Sequence, residues 1–175
     1  MLLHLRQCSG CRQVSLSASA RYQAIRELVR PWEVAHLWLP RRPHRSPRPS
    51  TADEVAAWFR WMFRVGKIRY IPDWAGLDIW CPPSATLARQ GGDCDDLSIL
   101  AASSIESRNH RLVVNVAIGN LCTALGCLGH AWVEGIDEDG WFLLEATSGE
   151  LFRRKRPSDY RIHRLLNRAG LPRLA

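Results

Sequence analysis

Apolar residues recur every three or four positions in three stretches of the chain, a spacing typical of helices with one buried face. These stretches are residues 17–30, 51–66 and 94–107. Thr51 with Glu54 three residues later has the pattern of a capping box, which marks the start of the second helix. The pattern therefore predicts three packed helices in the first part of the chain.

The later part of the chain is rich in β-branched and aromatic residues and is broken by turn signals. Residues 111–119, 129–136 and 140–147 are each typical of a strand. The last two are separated by DEDG, which predicts a hairpin. Helices followed by an antiparallel sheet predict an α+β fold.

Three chemically active side chains stand at the ends of these predicted elements. Cys94 begins a helix, His130 begins a strand, and Glu145 lies near the end of the next strand. A thiol enzyme needs these three types, because a base takes the thiol proton and a carboxylate orients the imidazolium. A buried packing cysteine and a structural histidine are the alternative interpretation of each residue taken alone.

The hairpin places two of these side chains together if its turn is the two residues Glu138 and Asp139. Trp132 would then stand opposite Glu145, and side chains alternate across a strand. His130 and Glu145 would share a face as diagonal neighbours. Any turn of even length keeps this parity.

The stretch GGDCDDLSIL, residues 91–100, surrounds Cys94 with three aspartates. Asp93 is a natural N-cap, and the helix dipole favours carboxylates in the first turn, where Asp95 and Asp96 fall. Their side chains are expected to point away from the thiol, because neighbours on a helix fan out by about 100°. The helix N-terminus itself lowers a thiol pKa and offers N–H groups to an oxyanion.

GGDCDDLSIL, GHAWVEG and GWFLLEAT together resemble the transglutaminase-like superfamily of thiol enzymes, with IRYIPDWAGLDIWCPPSATLARQ as a lead-in of the bacterial cysteine peptidase branch. The resemblance covers roughly residues 51–150. It implies a papain-like fold in which a nucleophile helix packs on an antiparallel sheet. It also implies Cys94 as nucleophile, His130 as base, and Glu145 where the family usually has aspartate.

The resemblance also implies roles outside the triad. Trp80 and Trp132 are candidates for lining the acyl site, with a core tryptophan as the alternative for Trp80. No cofactor is required by the chemistry. Some bacterial peptidases of this branch hold calcium beside the active site, and the three clustered carboxylates of Asp93, Asp95 and Asp96 suit that hard cation.

The other cysteines have a separate interpretation. A start as short as MLLHLRQCSGC does not resemble a signal peptide, so we expect a cytoplasmic protein without a disulfide framework. A four-thiolate zinc site is then one option. Its ligands would be Cys8, Cys11, Cys122 and Cys127.

The chain has 175 residues, of which 46% are hydrophobic, and this is enough for one domain with a hydrophobic core. Its net charge is +7. It divides into a helical extension with a Pro/Arg-rich linker (1–50), a catalytic core (51–150) and a basic tail (151–175). No apolar run reaches 18 residues, so no membrane span is expected. Only Lys67 and Lys155 are lysine, and an arginine bias of this kind makes a nucleic-acid partner unlikely to explain the charge. An acidic partner for the arginine-rich segments stays open.

These observations favour acyl transfer through a Cys94 thioester, with a peptide or protein as substrate. Water as acceptor makes the protein a cysteine peptidase or amidase, and an amine makes it a crosslinking transglutaminase. A non-catalytic peptide-binding or scaffold protein of the same fold is the remaining alternative. The small size and the bacterial motifs favour the peptidase.

Overall fold

The helices lie early in the chain and the long strands late, as the hydrophobic pattern predicts. The computed structural model describes residues 10–14, 17–38, 49–73, 77–112 and 114–168. The helices are α1 (Ala18–Leu28), α2 (Pro31–Val34), a 3-10 turn (Ala35–Trp38), α3 (Thr51–Arg64), α4 (Pro83–Ala88) and α5 (Cys94–Arg108). The strands are β1 (Arg12–Gln13), β2 (Arg69–Tyr70), β3 (Ile79–Trp80), β4 (Gly91–Gly92), β5 (Val114–Thr123), β6 (Gly126–Asp137), β7 (Gly140–Glu145), β8 (Glu150–Arg153) and β9 (Tyr160–Leu166).

The long strands form one antiparallel sheet in the order β8-β7-β6-β5-β9. The predicted two-residue turn between β6 and β7 is confirmed, since Asp137 pairs with Gly140. One face of the sheet packs on the helices, and the other covers a second apolar cluster. That second cluster consists of Ala117, Trp132, Leu143 and Tyr160, with partly buried neighbours around them.

Helix α5 is buried on nearly every side, because it lies between the sheet and the other helices. All its residues from Asp95 to Glu106 are buried. The sequence predicts a single apolar face for this helix, yet small residues such as Ala102 and Ser98 are buried on its other sides. Small side chains let neighbouring elements approach closely, and this central helix holds Cys94 at a fixed place.

The N-cap of α3 lies one residue earlier than predicted. Ser50 is the N-cap, and its hydroxyl accepts a hydrogen bond from the backbone N–H of Asp53. Thr51 is instead the first helical residue, and its N–H and hydroxyl both donate to Glu138. The expected capping role of Thr51 is wrong because the preceding serine supplies the same chemistry.

The segment after residue 150 forms strands β8 and β9, where the sequence predicts a basic tail. Two of its arginines pair with buried carboxylates: Arg153 with Asp137 at 2.7 Å and Arg156 with Glu134 at 2.7 Å. These two arginines are already paired within the fold, and the acidic partner expected from the sequence stays a prediction. The boundaries at residues 50 and 150 stay a prediction as a division into domains.

Four cysteines form disulfides, which contradicts the expectation of unpaired thiols. Cys11 is bonded to Cys81, and Cys122 to Cys127. The zinc site proposed for these residues is therefore wrong, because a disulfide sulfur is not a thiolate ligand. Cys8, the fourth residue of that set, lies outside the described residues.

The residues before α3 also contribute to the main core. In α1, Ile25 and Leu28 are completely buried, and burial of such side chains is worth roughly 1.5–3 kcal/mol each. In the described part of the chain, no helix has the length and apolar character that crossing a membrane requires.

Candidate active site

Cys94 is the first residue of α5, and the chain approaches it through a backbone that requires glycine. Gly91 has φ +150°, and a Cβ built there would lie 2.1 Å from the carbonyl oxygen of Arg69. A Cβ on Gly92 would lie 2.4 Å from the Asp96 side chain. Both contacts are impossibly short, so the glycines let β4 pair with β2 directly beneath the start of α5.

The acidic residues flanking Cys94 fix the helix start, as the sequence predicts. Asp93 is the N-cap, with its carboxylate 3.4 Å from the backbone nitrogen of Asp96. The Asp96 carboxylate accepts a 2.7 Å hydrogen bond from the Cys81 N–H and lies 3.4 Å from Arg89. Asp96 therefore ties the segment after β3 to the start of α5.

Asp95 departs from the expected arrangement, because its side chain faces the thiol. The Cys94 Sγ donates a hydrogen bond to Asp95 Oδ1 at 3.8 Å. Burial raises the pKa of the Cys94 thiol, and the charges of Asp95 and Asp93 raise it further. The backbone N–H of Ala131 acts in the opposite direction. Burial, with the neighbouring carboxylates second, thus favours the thiol form of Cys94 over the thiolate.

The three aspartates form a cluster whose charges disfavour one another. One oxygen from each of Asp93, Asp95 and Asp96 lies within 4.8 Å of the others. Burial, with the charge of Asp73 next, raises the pKa of Asp93 to about 6. Burial and the charge of Asp93 raise that of Asp96 to about 8. The Asp95 pKa is also raised, first by burial and then by Asp93 and Asp96.

One oxygen of this cluster lacks a partner within the described part of the chain. Asp95 is only 7% exposed, and its buried Oδ2 accepts no hydrogen bond from the described residues. An unpaired buried carboxylate oxygen is costly unless a cation or a proton satisfies it.

His130 and Glu145 meet as the strand parity predicts. The His130 Nε2 lies 2.7 Å from Glu145 Oε2. Burial alone would raise the Glu145 pKa, but the hydrogen bond and charge of His130, with hydrogen bonds from Thr147, lower it overall. Glu145 is therefore an ionised partner that occupies one imidazole nitrogen and leaves Nδ1 as the one available to act as a base.

Two further residues hold Glu145, and one of them could not be found from the sequence. Thr147 donates its N–H and hydroxyl to Glu145 Oε1, at 2.9 and 2.6 Å. Tyr160 donates its hydroxyl to Oε2 at 3.0 Å. The parity argument places position 147 on this face, whereas Tyr160 belongs to the predicted tail and carries no sequence signal.

Cys94 and His130 line one cavity of about 390 Å³. Trp80 lines it too, and its indole N–H donates to Asp78 at 2.6 Å. Trp132 is completely buried beside Tyr160 and is not among the lining residues, so it supports His130 from behind. The cavity wall also includes Arg21, Asn120, Gly129, His163 and Arg164.

The thiol and the imidazole share this cavity without a hydrogen bond between them in the described structure. The thiol hydrogen is directed to Asp95, while the imidazole is held by Glu145. A catalytic proton transfer to His130 therefore requires the thiol to rotate away from Asp95, which is a change of one side-chain torsion. Hydrogen bonds of this kind often tighten only when substrate is bound.

Comparison with known proteins shows the fold. No protein-family model and no curated protein matches the chain. The calcium-bound structure of Legionella pneumophila LapG is 15% identical, covers 67% of this chain and 64% of its own, and has a TM-score of 0.52. The EGTA-treated LapG structure is also 15% identical, covers 67% and 62%, and has a TM-score of 0.51.

The chain thus spans less than two thirds of the length of these LapG structures. At this identity the likeness shows the fold alone. It confirms the predicted α+β architecture, in which a helix carrying the cysteine packs on an antiparallel sheet. Membership of the transglutaminase-like superfamily stays a prediction.

Proposed function

We propose that the protein is a transglutaminase-like cysteine peptidase or amidase with Cys94, His130 and Glu145 as its triad. The observation that carries this proposal is the 2.7 Å contact between His130 and Glu145 on the cavity that Cys94 lines. A thiol and an imidazole, both partly buried, with a buried, ionised carboxylate behind the imidazole are the arrangement that thiol activation needs.

The reaction follows from these groups. His130 Nδ1 takes the Cys94 proton, and the thiolate attacks the carbonyl carbon of an amide. The C–N bond then breaks, the leaving amine takes the proton from His130, and a Cys94 thioester remains. Water, deprotonated by His130, attacks the thioester and releases the carboxylic acid and the thiol.

The remaining groups stabilise charge during this cycle. Glu145 stabilises the imidazolium and fixes its orientation, while Thr147 and Tyr160 hold the carboxylate in place. The backbone N–H of Cys94, at the N-terminus of α5, would stabilise the oxyanion. The substrate enters through the cavity beside Trp80.

An acid-quenched reaction with fluorescein-labelled casein tests this proposal. We expect a thioester adduct on Cys94 by mass spectrometry, and new peptide termini as the reaction proceeds. Dansylcadaverine is added in a parallel reaction as an amine acceptor. Its incorporation without new termini would reassign the protein to crosslinking, and the absence of both products and adduct would contradict an enzymatic role.

We also propose that Asp93, Asp95 and Asp96 hold a calcium ion. The orphaned, buried Asp95 Oδ2 and the three oxygens within 4.8 Å fit a hard cation that prefers carboxylates. LapG, which shares the fold, has a calcium-bound structure. A bound dication would offset the carboxylate charges that raise the Cys94 pKa.

Calcium is expected to raise the melting temperature of the wild-type protein, because a ligand that binds only the folded state stabilises it. At a hundredfold excess over Kd this contributes about 2.7 kcal/mol. Melting is followed in CaCl2 and in EGTA for wild type, Asp95→Asn and, as control, the exposed Asp159→Asn. The shift is expected in wild type and Asp159→Asn and not in Asp95→Asn. Equal melting of the wild type in both buffers would contradict the site.

The disulfides and the sequence favour different cellular locations. The cytoplasmic location expected from the sequence stays a prediction. The two disulfides argue for an oxidising compartment, because thiols are kept reduced in most cytosols. Peptide or protein substrates remain the proposed partners.

A further inference from the structure

One half of β6 has a neighbouring strand on only one side. Within the described residues, β6 pairs with β5 over its whole length, but with β7 only from Val133 to Asp137. Strand β7 ends at Glu145, whose carbonyl accepts hydrogen bonds from Ser148 and Gly149 as the chain turns away. Residues 126–132 of β6 therefore present an open edge next to the triad.

The pairing parity determines which backbone groups face this open edge. In an antiparallel pair, opposed residues alternate between exchanging hydrogen bonds and turning away, and the pair that closes a two-residue turn exchanges them. Asp137 closes the turn with β7, and Gly126 closes the turn with β5. Both turns assign the same residues of β6 to the side that faces away from β5. The N–H and C=O groups of Cys127, Gly129 and Ala131 face the open edge.

This edge runs directly to the nucleophile. The Ala131 N–H interacts with the Cys94 sulfur, and Gly129 and Ala131 line the cavity. Cys127 and Gly129 are exposed, and no described residue hydrogen-bonds their backbone groups on this side. A Cβ built on Gly129 would meet nothing within 4 Å, so the sheet face at this residue is also uncovered by the described residues.

The hairpin that carries the edge is fixed without help from β7. Cys122 and Cys127 stand directly opposite each other and form a disulfide across β5 and β6. On the face that bears His130, Leu128 is 77% exposed two residues before the histidine. The edge is thus rigid, has unpaired backbone groups and carries an apolar side chain for a partner.

We propose that the open edge of β6 binds the substrate as an added strand, an inference that rests on the proposed peptidase function. The substrate class is then an extended, unfolded polypeptide segment beside the scissile bond, with an apolar side chain against Leu128. Gly129 contributes up to two backbone hydrogen bonds and Cys127 two more, and such main-chain pairing supplies affinity that is largely independent of sequence. A small amide lacks the backbone to use this edge.

Two peptide electrophiles, each compared with an N-methylated version of itself, test the proposal. The probes are acetyl-Ala-Ala-Leu-Ala chloromethyl ketone and chloroacetyl-Ala-Leu-Ala-Ala-amide, which extend to opposite sides of the reacting carbon. Each forms a C–S bond to Cys94 and releases chloride. The comparison compounds are 2-chloroacetamide and versions of both peptides N-methylated at alternate amides.

At least one peptide is expected to label Cys94 about tenfold faster than its own N-methylated version. In Gly129→Pro, which removes one edge N–H, the ratio of peptide to chloroacetamide rate constants should fall about tenfold. Gly129→Ala keeps that N–H and is expected to retain most of the ratio. Melting temperatures establish that both variants fold.

Equal rates for the methylated and unmethylated peptides would overturn the inference. If Cys94 reacts with none of the electrophiles, the proposed function fails, and hydrogen exchange then decides the inference separately. Acetyl-Ala-Ala-Leu-Ala-amide should slow exchange in residues 126–132, and unchanged exchange at millimolar peptide would overturn the docking site.

Discussion

His130→Ala is expected to lower kcat/KM for casein hydrolysis by about four orders of magnitude, which corresponds to about 5.4 kcal/mol of transition-state stabilisation. The reason is that Glu145 occupies one nitrogen of the only imidazole paired with a buried carboxylate among the described residues. Without it, the thiol has Asp95 as its partner and no base positioned to accept its proton productively.

The variant should remain folded, since Glu145 keeps its hydrogen bonds from Thr147 and Tyr160. The matched control is His110→Ala, an exposed position in the turn after α5, which is expected to change kcat/KM by less than threefold. Initial rates are measured with both variants at equal concentrations and with melting curves alongside. A loss of less than tenfold in His130→Ala would remove the imidazole from the mechanism.

Removing the Cys11–Cys81 disulfide is expected to lower the free energy of unfolding by about 4 kcal/mol. The bond links positions 70 residues apart, and the loss of loop-closure entropy in the unfolded chain grows with that separation. Loss of packing in the folded state adds to this, because the Cys81 side chain is completely buried. Urea unfolding of the Cys11→Ala/Cys81→Ala double variant measures the effect.

The second disulfide provides the comparison. Cys122 and Cys127 are only five residues apart, so the same entropic argument gives about 2 kcal/mol for Cys122→Ala/Cys127→Ala. The long-range bond is thus expected to be worth about twice the short one. An equal or smaller loss in the Cys11 and Cys81 variant would mean that the N-terminal segment is held by its packing.

Sequence reasoning reached the parts of the fold that depend on local periodicity. Strand alternation across a two-residue turn was enough to bring His130 to Glu145, because that geometry is fixed by the backbone alone. The helix start at Cys94 followed from capping chemistry that acts within four residues. Both are short-range effects that a single sequence contains.

What escaped prediction depends on contacts between distant segments. Strand β9 is a charged stretch, and it becomes a strand because β5 offers it an edge. The disulfide partner of Cys11 could not be identified by spacing, since tertiary structure brings Cys81 beside it. The direction of Asp95 depends on burial around the thiol, which helical geometry by itself does not specify.

The position of Tyr160 has a consequence for the order in which the protein matures. Its hydroxyl completes the environment of Glu145, and it is made 15 residues after that carboxylate. A nascent chain that has exposed Cys94 and His130 outside the ribosome still lacks this hydroxyl, and β9 cannot yet pair with β5. The proposed triad is thereby complete only when the sheet is complete, so a partly synthesised chain does not present a finished site to its neighbours.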